Sequence, residues 1–197
     1  MTTEQAPRET RLMPPVRVRV VVVGETTSGV AAVTSDEVLA PAKLGVFPGA
    51  AFFRVWGSAA PPTLPTAGAR TPGAWIPASG EVRFGVSILP PAYGAGAADL
   101  HAGLDEIRRH LPGLAETLDL ARPGMHRTDT VDLVLVASGE VVLELDEGAE
   151  VALAAGDCVV QFGARHAWRN RSAAPCTLVI TMLGVVREPA TDPASPP

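Results

Sequence analysis

The chain has 197 residues, 47% of them hydrophobic and 19% charged, with a formal net charge of −5; it is too apolar for a disordered chain and long enough to bury one sizeable core. Its 19 glycines and 19 prolines exceed ordinary usage and favour a turn-rich, strand-built protein over a helical bundle, because both residues interrupt helices. Sixteen Lys and Arg against 21 acids argue against nucleic acid as a partner, and no apolar run reaches the roughly eighteen residues of a membrane span.

In chain order, residues 1–15 read as a flexible start; the polar 1–11 lacks the apolar centre of a secretory signal, which makes the cytoplasm the expected location. Residues 16–23 and 30–34 flank a turn and predict a hairpin, and further strands are expected at 51–55 and 81–89. Between those two strands, 59–77 carries five prolines and reads as an irregular loop or lid, with Trp56 and Trp75 at its edges for packing. Asp99 is a candidate N-cap, and Leu100, Leu104, Ile107 and Leu111 follow at helical spacing before Pro112 and Gly113 end the helix. A second short helix is expected at 114–121. His101 and His110 lie off the Leu/Ile stripe of the first helix and are expected to face solvent.

Proline then divides the chain. Fourteen prolines fall at or before Pro123, none between Gly124 and Ala174, and five from Pro175 onward. A proline-free stretch is what a continuous hydrogen-bonded sheet needs, since proline cannot donate to the ladder. Within it Gly124, Gly139, Gly148, Gly156 and Gly163 punctuate β-branched runs, predicting strands at 132–136, 140–145, 150–153, 158–161, 166–170 and, beyond it, 177–183. Asp146, Glu147 and Gly148 read as a hairpin turn. The organisation expected is therefore an extension with inserted helices over 16–123, a core over 124–186 and a mobile tail over 187–197. Cys158 and Cys176 are expected to be buried free thiols.

The histidine list is short: His101, His110, His126 and His166. Around the last two, His126-x-Thr128-x3-Asp132-x6-Gly139 and Gly163-x2-His166-x3-Asn170 resemble the two sequence motifs of the cupin superfamily. Thr128 stands where that family has a second His, Asp132 where it has Glu, and Phe162 where it has Pro. The resemblance implies an all-β, cupin-type jelly-roll β-barrel, here with an N-terminal β extension and one or two short inserted helices. It also implies homodimers, for which 16–23 is a suitable edge strand.

Strand alternation groups the same residues independently of the resemblance. Asp132, Val134 and Val136 share one face; if the path stays extended, His126 and Thr128 join them, while His166 and Trp168 share a face of their own strand. Arg127 and Arg165 have the opposite parity and are expected to point outward. Two His and one carboxylate, His126, Asp132 and His166, are a donor set suited to a divalent metal such as Fe, Mn, Ni or Zn with open positions for substrate or O2. Without a metal, the same three residues become a general acid/base cluster. Thr128, Gln161 and Trp168 are the candidate substrate contacts. The expected function is a metal-dependent small-molecule enzyme acting on an aromatic or polyketide-like organic acid by oxygenation, decarboxylation or isomerisation, with His126, Asp132 and His166 holding the ion. A metal-free isomerase or dehydratase, or a small-molecule binding protein without turnover, remain the alternatives.

Overall fold

The computed structural model describes residues 17–26, 28–64, 68, 73–94 and 99–188; the start at 1–15, Val16, the tail beyond Glu188 and parts of the 59–77 loop lie outside the described residues. Among the described residues, ten strands and one α-helix follow in the order β1 (Val18–Glu25), β2 (Ala31–Leu39), β3 (Ala51–Ser58), β4 (Val82–Leu89), α1 (Leu100–His110), β5 (Thr130–Ser138), β6 (Glu140–Glu144), β7 (Glu150–Ala154), β8 (Cys158–Phe162), β9 (Ala167–Arg169) and β10 (Cys176–Gly184). All the strand pairings are antiparallel. They build a five-stranded sheet in the order β3-β4-β10-β5-β8, a three-stranded sheet β7-β6-β9 and the separate hairpin β1-β2. This is the expected all-β class, built of antiparallel sheets.

The core shows why the two larger sheets face one another. Leu89, Val134, Val136, Cys176 and Leu178 of the five-stranded sheet bury against Val141 of the three-stranded sheet, with Trp168 packed alongside. On β5 the residues of one parity, from Thr130 to Val136, are buried, whereas Leu133 and Leu135 are exposed; a strand with one face in a core and one in water produces this alternation. A second cluster joins Leu100 and Ile107 of α1, and Leu111 just past its end, to Phe52, Trp75 and Met182. The helix thus seals the five-stranded sheet with its apolar stripe. Asp99 caps it by accepting from the Ala102 N–H at 3.1 Å, as its side chain suggests. The hairpin β1-β2 joins through Leu39, which packs with Phe53, Val55 and Ile88.

Two turns explain why the motif glycines are glycines. Gly139 closes the β5–β6 turn at φ +76, where a Cβ would stand 2.5 Å from the Pro175 carbonyl oxygen; Gly163, at φ +55, has the Thr128 carbonyl 2.7 Å from where its Cβ would be. Both positions combine left-handed backbone with no room for a side chain.

The structure corrects several expectations. The segment expected to be a second helix forms only a 3₁₀ turn, Ala115–Thr117, after which Leu118 is extended. Leu118 is drawn into a β-bridge with His126, and this pairing takes the backbone that a longer helix would need. His101 is exposed as expected, but His110 is half-buried and borders a groove with Glu37 and Arg54. Cys176 is buried but Cys158 is exposed, and both are free; Cys158 sits on the outward parity of an edge strand. Arg187, expected at the head of a mobile tail, is held instead, donating to the carbonyls of Thr128 at 2.7 Å and Gly163 at 2.9 Å and pairing with Asp129.

Candidate acid/base site

The site forms where two segments outside the regular strands meet. His126 and His166 exchange backbone hydrogen bonds, His126 N–H to His166 C=O at 2.9 Å and the reverse at 3.0 Å. With Leu118 pairing to the other side of His126, the two motif histidines become neighbours in a three-strand ladder. Directly opposed residues lie on the same face, so the imidazole rings meet, with centroids 4.2 Å apart and planes tilted by 49°. Trp168 adds an edge-to-face contact with His166 at 5.9 Å.

Asp132 approaches from the five-stranded sheet. Its register places it between Met182 of β10 and Gln161 of β8, and it shares a cavity of about 80 Å³ with His126, Thr128, His166 and Trp168. One of its carboxylate oxygens, Oδ1, is buried with no hydrogen-bond partner among the described residues. Burial raises its pKa above the ordinary carboxylate value, and a hydrogen bond from Thr130 only partly opposes this. An unpartnered, desolvated carboxyl favours its protonated form.

The histidines are pushed the other way. Burial lowers the pKa of His126, with the Gly124 carbonyl opposing. His166 is lowered to about 3 by burial and by the neighbouring His126. Both rings are therefore neutral at ordinary pH. The Nδ1 of His126 lies 3.0 Å from the Gly124 carbonyl. A carbonyl only accepts, so this nitrogen carries the hydrogen and the lone pair is left on Nε2. The Nδ1 of His166 is clamped between the Ala164 carbonyl and the Gln161 amide.

The expected substrate contacts separate into different roles. Thr128 and Trp168 line the cavity, although Thr128 Oγ1 is engaged with Thr130 Oγ1 at 2.6 Å. Gln161 is buried with its amide donating to the Ala164 carbonyl at 3.1 Å and against the His166 ring; it positions a histidine. Asn170, the last residue of the second motif, is completely buried and holds the β9–β10 turn to β4, donating to the Leu89 and Ala174 carbonyls. Arg127 and Arg165 are exposed, as their parity requires; Arg165 pairs with Asp146 on the surface.

Among the described residues no group of three or more His, Cys, Asp and Glu is arranged to hold a divalent metal. Thr128, in place of a second histidine, has its hydroxyl committed to Thr130. The residues present do not fit a three-ligand metal centre.

Several lining residues come from the first half of the chain and were not anticipated: Phe52, Trp75, Ser87 and Tyr93. Ser87 alone left a sequence signal, being a hydroxyl in an otherwise apolar strand end, Val86–Leu89. The others are apolar or aromatic residues like any in a core.

No family profile matches the chain. It is 49% identical over 55 residues to a phomopsin biosynthesis cluster protein C' of Diaporthe leptostromiformis, covering 26% of this chain and 29% of that one. It is 36% identical over 84 residues to the oryzines biosynthesis cluster protein J of Aspergillus oryzae, 38% and 47% of the respective chains. Against a cupin-domain-containing oxidoreductase of Neurospora crassa, srdB, identity is 31% over 96 residues, 46% of this chain and 49% of that one. The chain thus spans less than half the length of these curated relatives. Among solved structures, a cupin 2 conserved barrel domain protein from Salinispora arenicola superposes with a TM-score of 0.39 at 15% identity, over 72% of this chain and 82% of that one.

Proposed function

We propose that this protein, which resembles the cupin superfamily in both histidine motifs and in its antiparallel β class, is a small-molecule enzyme of the cytoplasm that works by metal-free acid/base chemistry. The observation that carries the reading is the geometry of one cavity: a carboxyl with an orphaned buried oxygen beside two imidazoles 4.2 Å apart between centroids. Burial shifts the carboxyl pKa up and the imidazole pKa values down. Environments that push titratable groups in opposite directions mark out an acid and a base. The reaction class is isomerisation through an enol. Nε2 of His126 takes a proton from the carbon next to a carbonyl; the C–H electrons form the C=C bond, and the carbonyl oxygen receives the Asp132 proton. Where a C=C bond flanks that carbon, the enol is a dienol. Asp132 recovers its proton from the hydroxyl as the C=O re-forms, the double bonds shift along the chain, and the far (γ) carbon takes the proton back from His126. This moves the C=C bond with no net change in oxidation.

Apart from the imidazoles, no described residue lining the cavity is cationic. Its walls are aromatic and aliphatic, so the favoured substrate is a neutral carbonyl compound in place of the organic acid expected from sequence. The biosynthesis-cluster names of two relatives support a place in small-molecule biosynthesis. The test is deuterium exchange at the α-carbon of octan-2-one in D2O, followed by mass spectrometry. Exchange catalysed by the unmodified protein, unchanged by EDTA and slowed about 10²–10⁴-fold in His126→Ala, is expected from a positioned general base. Exchange no faster than buffer, or fully lost on chelation, refutes it.

A further inference from the structure

The inner cavity raises a problem of scale. Pockets for metabolite-sized ligands run to about 300–1,000 Å³, whereas the space beside His126 and Asp132 is about 80 Å³, enough for a reacting head group and little else. A second hollow, of about 430 Å³, lies next to it, walled by Phe47, Pro48, Pro91, Tyr93, Leu100 and Gly124. Tyr93 lines both spaces and packs against both main core clusters. Gly124, a wall of the outer hollow, is also the residue whose carbonyl holds the His126 ring.

We infer that the outer hollow is the second half of the substrate site: it takes an unbranched or aromatic apolar body of a neutral substrate whose carbonyl head lies in the inner cavity, and Tyr93 is the dividing wall that sets how much of the ligand each side receives. This rests on the acid/base reading of the inner cavity. Three observations support it. The walls are hydrocarbon, with no charged side chain, so burial of apolar surface is the recognition they offer. The backbone of Tyr93 is fastened in place, its C=O accepting from Asn170 N–H at 3.1 Å while Arg169 donates to the next carbonyl, Gly94, at 2.6 Å. The residue before it, Ala92, holds φ at +62, a left-handed conformation unfavourable for alanine and found where surrounding structure over-determines the backbone. The Tyr93 ring lies 5.9 Å from that of Phe47, the planes tilted by 49°.

The test is binding rather than turnover. Butan-2-one, hexan-2-one, octan-2-one and decan-2-one are titrated into the protein while the His126 and His166 ring signals are followed by NMR. If the chain beyond the head enters the outer hollow, each added methylene tightens binding up to about fourfold. Pro91→Trp, an exposed position at the rim, should weaken decan-2-one at least about tenfold and leave butan-2-one within about twofold. Ring shifts with no tightening along the series overturn the outer half-site alone, as does Pro91→Trp acting equally on long and short ketones. Absence of any ring shift in the unmodified protein overturns the acid/base reading and this inference together.

Discussion

His126 and His166, forty residues apart in the chain, are joined by a pair of backbone hydrogen bonds that hold their rings 4.2 Å apart between centroids. Side-chain substitution leaves those backbone bonds intact. The chemistry of the pair can therefore be altered without dismantling the ladder that positions it.

The burial of His166 makes stability acid-sensitive in a defined window. Its folded pKa of about 3 lies below the ordinary 6.5, so between those values the unfolded chain binds more protons and stability falls as pH falls, with a limiting slope of about 1.4 kcal/mol per pH unit for one proton. Above pH 6.5 both states are neutral at this residue and the effect vanishes. Urea midpoints at pH 7, 5 and 4 should drop more steeply for the unmodified protein than for His166→Asn. Parallel curves would contradict the burial argument.

Asp132 has the opposite sign. Its folded pKa is raised, so the native state binds the extra proton above pH 3.8, and stability is lost as pH rises through the window between the two values. Asp132→Asn removes the charge at every pH with little change of shape. Its urea midpoint should exceed that of the unmodified protein at pH 8 and approach it towards pH 4, while α-exchange is impaired. A variant destabilised most at pH 8 would mean that the carboxylate is the stabilised form.

Metal retention is the measurement expected to separate this chain from the pattern it resembles. Protein purified without chelator and reloaded with Fe(II), Mn(II), Ni(II) or Zn(II) should keep less than about a tenth of an equivalent after desalting, since ionised carboxylate and a full ligand set are required. The double variant Thr128→His with Asp132→Glu restores the donors that the resembled motif carries and should gain metal. Stoichiometric metal in the unmodified protein, measured by elemental analysis, would reverse the assignment.

The outward face of the β1-β2 hairpin predicts association with a second copy. Register places Arg19 opposite Val38, Val21 opposite Asp36 and Val23 opposite Val33, and the four valines on this face are exposed by 45–63%. A face carrying apolar rows beside one Arg–Asp pair can match itself about a two-fold axis, burying the valines. Light scattering at micromolar concentration should give a dimer, and Val21→Lys with Val23→Lys a monomer. A monomeric unmodified protein sinks the prediction.

Much of this architecture was legible in the residues. The absence of proline from 124 to 174 and the inward parity of Asp132, Val134 and Val136 both follow from hydrogen bonding and strand geometry that act within a few residues. So does the N-cap at Asp99. The failures share a different cause. Leu118 left a helix because His126 offered it a bridge, Arg187 is anchored because two turn carbonyls from elsewhere face it, and Gln161 met a histidine instead of a ligand. Each depends on a neighbour that no local pattern names.

By itself the sequence determined an antiparallel β protein and put His126, Thr128 and Asp132 on one strand face and His166 and Trp168 on another, because strand alternation and turn glycines are local and periodic. Only the tertiary structure decided what those residues are. Ring pairing, an orphaned carboxylate oxygen and the apolar walls supplied by Phe52, Trp75 and Tyr93 come from segments far apart in the chain. Desolvation, which sets the protonation of the acid and the base, is a property of that assembled enclosure and is carried by no residue alone.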